Sequence, residues 1–63
     1  MAVSIELKGK LEPVVVDEEF AGFVQQLNMS MAKGNVITAF DGMNGEHVAI
    51  NIPQILTIND YTD

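Results

Sequence analysis

Cysteine and arginine are absent from this 63-residue chain, and its only basic side chains apart from His47 are Lys8, Lys10 and Lys33. Without cysteine there is no disulfide and no thiolate metal site, and small domains commonly depend on one or the other. Oligomerisation is the common support that remains, so association is expected by elimination. Nine acidic residues oppose the three lysines, for a formal net charge of −6. So few lysines cannot displace the counterions that phosphate-backbone binding requires, and an anionic membrane face would repel the chain. Neither nucleic acid nor a membrane is an expected direct partner.

Long apolar runs are also lacking. No stretch approaches the roughly 20 residues that span a bilayer. The opening Met1-Ala2-Val3-Ser4-Ile5-Glu6 has neither the basic region nor the apolar run of a secretory leader, so a cytoplasmic location is expected. Asn28-Met29-Ser30 fits the glycosylation triplet, but it falls within a predicted helix and is read as a chance match.

What the chain does have is apolar patterning, with 48% hydrophobic residues. Val3, Ile5 and Leu7 alternate with Ser4, Glu6 and Lys8, which predicts a strand with one covered face. Gly9-Lys10 suits a turn, and residues 11–16 return as a second strand. Pro13 cannot donate to a ladder, so that strand lies at an edge or begins after the proline. Asp17 is the expected helix N-cap, with Glu18 and Glu19 complementing the positive helix end. Phe20, Phe23, Val24, Leu27 and Met31 then form one stripe at helical period, closed by Lys33 and a left-handed Gly34. Interior glycine costs about 1 kcal/mol relative to alanine in a helix, so Gly22 is read as a close approach to the sheet or as a helix-to-helix contact.

Residues 36–40 and 46–52 predict a hairpin around Asp41-Gly42-Met43-Asn44-Gly45. Val36, Thr38 and Phe40 share one face and Ile37 and Ala39 the other, while Val48, Ile50 and Ile52 share a face on the returning strand. Pro53-Gln54 breaks that strand, residues 55–58 form a last short one, and residues 59–63 are expected to fray. The predicted fold is one small α+β domain over residues 1–63. It has the order β-β-α-β-β with a short fifth strand, as one antiparallel sheet with a single amphipathic helix on one face.

No pattern in the chain supplies chemistry. As a base or metal ligand His47 would need companions, and only Asp41, across the hairpin, is within reach. The 41–46 loop is too short for a calcium loop, and Met43 occupies a ligand position. The glycines form no phosphate loop. The hydroxyl side chains have no positioned base, and Asp17-Glu18-Glu19 is explained by helix-start chemistry. No catalytic residue, metal site or cofactor is expected, and the protein is read as a non-enzyme. The acids are read as a dispersed, solubilising surface.

The alternating strand at 3–8, the acid-led helix at 17–33 and the Ile-Asn-Ile-Pro-Gln-Ile-Leu-Thr-Ile tract within 47–58 resemble small uncharacterised proteins of bacteriophages and their hosts. The likeness is architectural. It implies an interaction protein with a host protein as partner and carries over no functional residues. From the residues themselves, the second sheet face is too apolar to be left wet. The expected function is therefore a self-associating, homo-oligomeric protein–protein interaction module. Val15, Ile37, Ala39, Ala49 and Leu56 are its candidate interface on the sheet, and Met29 on the helix flank. An acidic inhibitor that blocks a nucleic-acid-binding protein, and a structural subunit of a virion-like assembly, are the other classes that fit.

Overall fold

The computed structural model describes residues 1–62. The alternation at the start of the chain forms β1 (Ala2–Leu7), with Val3 and Ile5 fully buried. The chain turns at Gly9, whose φ of +85° is the left-handed region that a glycine adopts without strain. It returns as β2 (Val14–Val16), antiparallel to β1 in the register Val3–Val16 and Ile5–Val14. Of the expected residues 11–16, only those after Pro13 pair, because the proline has no N–H to give.

Helix α1 (Phe20–Ala32) follows. Its N-cap is Glu19, whose carboxylate accepts from the Ala21 N–H at 3.3 Å, and not Asp17 as the sequence suggested. The cause is tertiary: the Asp17 N–H donates to the Asp41 carbonyl at 2.8 Å, which holds Asp17 at the sheet margin. At the other end Gly34 takes φ +79°. Asn35 and Gly34 donate to the carbonyls of Ser30 and Met31, the paired bonds of a Schellman cap. Within the predicted stripe Phe23 and Leu27 are buried and Val24 is half-buried, whereas Phe20 and Met31 are exposed. The stripe is longer than the surface it covers. A side chain added at Gly22 would meet nothing within 4 Å, so close approach to the sheet is not what places glycine there.

Strands β3 (Ile37–Asp41) and β4 (His47–Asn51) form the expected hairpin, with Ala39 opposite Ala49 and Phe40 opposite Val48. Thr38, Phe40, Val48 and Ile50 face inward, and Ile37, Ala39, His47 and Ala49 face out, as the period of two requires. A single 3-10 turn at Ile52–Gln54, built on Pro53, leads into β5 (Ile55–Tyr61).

Two corrections concern the sheet. Among the described residues the strands form two sheets, β2-β1-β5 and β3-β4, and not one; they are joined by the Val16–Gly42 bridge. They nevertheless share one core, in which Val3, Ile5, Val16, Phe23, Leu27, Phe40 and Ile50 pack together. Helix α1 adds Phe23 and Leu27 to that core.

The second correction concerns the C-terminal segment expected to fray. Asn59, Asp60 and Tyr61 pair with Ser4, Val3 and Ala2, extending β5 along the whole of β1. Asp63 lies outside the described residues. The register of β5 shifts between Glu6 and Leu7: Leu7 pairs with Ile55 and Glu6 with Thr57, which leaves Leu56 unmatched. This bulge has a use. Ile55 and Ile58 are three apart and would face opposite ways in a regular strand. The extra residue lets both pack against the core.

Candidate interaction surface

The bonds that fasten the two sheets also define two ends of the molecule. At one end β1 finishes, β5 begins, and the Lys8 N–H donates to the Gln54 carbonyl at 2.8 Å. The Ile52 N–H reaches the Val36 carbonyl at 2.7 Å, which brings the start of β3 to the same end. The C-terminus of α1 arrives there too, because Met31, Val36, Ile52, Pro53 and Ile55 together line a groove of about 490 Å³. At the other end β1 begins and β5 finishes, beside the Val16–Gly42 bridge and the start of the helix.

The first end is apolar and open to solvent. Leu11, at the tip of the loop between β1 and β2, is 103% exposed. Met31, Val36, Ile37 and Leu56 are each more than half exposed around it. Single exposed leucines need no explanation; five large apolar side chains at one end of so small a molecule do.

Charge is divided along the same axis. Lys8 and Lys10 lie in the β1–β2 loop and Lys33 caps the helix C-terminus, so all three lysines sit at the apolar end. Asp17, Glu18 and Glu19 precede the helix, Asp41 and Glu46 flank the β3–β4 loop, and Asp60 pairs with Val3; these six belong to the opposite end. Glu12 and Glu6 are nearer the lysines, and Glu6 accepts a hydrogen bond from the Thr57 hydroxyl across the β1–β5 pair. Six of the eight described acids are thus gathered at one end, a feature invisible until the topology sets the ends.

The residues singled out from the sequence divide between two places. Ile37 and Leu56 lie at the apolar end, and Met29, 54% exposed, is one turn before the helix end. Ala39 and Ala49 are cross-strand neighbours on the outer face of the hairpin, and both are exposed. Val15 is half-buried on the outer face of β2, opposite Ser4. The structure therefore brings Ile37, Ala39 and Ala49 together on one hairpin face and keeps Val15, Leu56 and Met29 apart from it.

Sequence reasoning passed over Leu11, Met31 and Val36. A signal for Leu11 was present, since it stands between Lys10 and Glu12 just ahead of a proline. Met31 offered none, because it matches the helical stripe and is exposed only where the stripe overruns its cover.

His47 and Asp41 form the cross-strand pair that closes the hairpin, with Nδ1 and Oδ1 3.1 Å apart. Their side chains are 89% and 70% exposed, and pairs this wet are worth little. Among the described residues no three His, Asp or Glu side chains converge in a metal-binding arrangement. No helix among them is long and apolar enough to cross a membrane. No protein family model, curated protein or solved structure matches the chain.

Proposed function

We propose that this protein is a small, non-catalytic protein–protein interaction module that associates with itself. The observation that carries the reading is the apolar end, where Met31 and Val36 line an apolar groove and Leu11, Ile37 and Leu56 are exposed on neighbouring segments. Covering that end would add apolar burial at about 25 cal/mol per Å², in a chain whose core has eight buried hydrophobic residues. The polar and charged groups around the end would set which surface it accepts.

Light scattering over a wide concentration range tests this. The expected result is a mass that rises above the 6.9 kDa of one copy, and that falls back to one copy in Ile37→Asp or Leu56→Asp with the circular dichroism of the fold unchanged. A mass fixed at one copy throughout refutes self-association. Unchanged association in both variants would show that this end is not the surface used.

A further inference from the structure

We propose that copies of this chain associate head to tail, the lysine-bearing apolar end of one copy seating on the acidic end of the next. This rests on the self-association reading above and adds its geometry and its partner surface. Three observations support it. The first is charge complementarity within one sequence: Lys8, Lys10 and Lys33 outnumber Glu6 and Glu12 at one end, while Asp17, Glu18, Glu19, Asp41, Glu46 and Asp60 stand without a lysine at the other. A symmetric contact between two acidic ends sets like charges against each other, whereas a head-to-tail contact pairs the acidic end with the lysines.

The second observation is shape. Leu11 projects fully exposed from the loop that carries Lys8 and Lys10. The acidic end holds a dip of about 220 Å³ lined by Met1, Ala2, Met43, Tyr61 and Thr62. Met1, Met43 and Tyr61 are themselves exposed, and Glu46 and Asp60 are close to the dip in sequence, in the Met43 loop and beside Tyr61. An apolar knob beside Lys8 and Lys10, with Glu12 on its other side, therefore has on the same chain an apolar recess near carboxylates.

The third is separation. The 13 residues of α1 run from one end to the other, roughly 20 Å at 1.5 Å per residue, about twice the Debye length at 0.1 M salt. Within one copy the two ends are screened from each other, so each is free to attract the opposite end of another copy.

Two end-specific variants test the geometry. Lys8→Glu with Lys10→Glu reverses the basic end. Asp17→Lys with Glu46→Lys and Asp60→Lys neutralises the acidic one. All five side chains are exposed, and circular dichroism checks that each variant is folded. Head-to-tail association predicts that each variant alone has the mass of one copy. Their equimolar mixture reaches twice 6.9 kDa and goes no further, because each partner keeps a single working end. Wild-type mass should fall toward one copy as salt is raised.

If both variants assemble as the wild type does, the contact is symmetric or uses the hairpin face; head-to-tail geometry is then refuted while self-association stands. A wild type that is monomeric at every concentration refutes the self-association reading itself. Binding of that monomer to phosphatidylserine-containing vesicles, lost in the Lys8→Glu, Lys10→Glu variant, would assign the basic apolar end to a membrane surface and overturn the proposal.

Discussion

The rings of Phe23 and Phe40 lie 4.6 Å apart at an interplanar angle of 45°, and this contact ties helix α1 to the β3–β4 hairpin. Phe23 is fully buried and Phe40 nearly so. Among the described residues the two sheets meet in backbone pairing at Val16 and Gly42, and Phe40 and Ile50 carry the hairpin into the core that Phe23 enters. Phe23→Ala is expected to cost about 3–5 kcal/mol, a large share of the stability of any domain this small. Urea denaturation followed by circular dichroism checks it. A loss under 1 kcal/mol would mean that the helix is not held by this ring.

The glycines of the helix region separate two physical effects. Gly22 sits in a regular helix with open space where a Cβ would go, so Gly22→Ala should stabilise by about 1 kcal/mol. That corresponds to a melting temperature roughly 4–8 °C higher. Gly34 holds a φ of +79° in the helix cap, and Gly34→Ala should destabilise by about 1–2 kcal/mol through left-handed strain. Thermal melts of the two variants should move in opposite directions.

Leu56 is the extra residue of the β5 bulge. It is 65% exposed and has no partner on β1. Leu56→Ser should therefore leave stability within about 0.5 kcal/mol of the wild type. Deleting Leu56 should also be tolerated: Ile55, Thr57 and Ile58 keep Leu7, Glu6 and Ile5 as partners, and the two isoleucines, now two apart, face the core from a regular strand. A deletion variant that melts far below Leu56→Ser would mean that the bulge itself is required.

Truncation after Ile58 tests the end of the chain. Asn59, Asp60 and Tyr61 pair with Ser4, Val3 and Ala2, and Ala2 and Val3 are buried. Removing the segment should cost on the order of 2–3 kcal/mol from uncovered apolar surface, and should speed hydrogen exchange at the start of β1. A truncated chain as stable as the parent would return residues 59–63 to the frayed state their polarity suggests.

Period and punctuation made most of the elements legible in advance. The alternation of Val3, Ile5 and Leu7, the inward set Thr38, Phe40, Val48 and Ile50, and the turn at Pro53 all appear where the pattern put them. Misread were the features that depend on a partner distant in sequence. Asp17 is drawn off the helix by the Asp41 carbonyl, and Glu19 caps in its place. The polar residues 59–61 are ordered because β1 has a free edge to pair with. The odd spacing of Ile55 and Ile58 was a visible sign of a bulge, though it could also have been read as a break in the strand.

The candidate surface divides in the same way. Ile37 and Leu56 were identifiable because each lies out of phase with the inward residues of its strand. Leu11 and Met31 were not placed on this surface, since their exposure depends on where neighbouring elements stop.

By itself, then, the sequence determined the α+β class, the run of strands and helix, the inward face of each strand, and the shortage of positive charge. Those properties are local, set by backbone sterics, side-chain alternation and composition. Only the tertiary structure decided that the strands split into two sheets around one core, that residues 59–61 pair, and that the lysines gather opposite most of the acids. Charges far apart in the sequence become neighbours only when antiparallel pairing fixes which strand ends coincide, and that register is settled by the burial of the whole core at once.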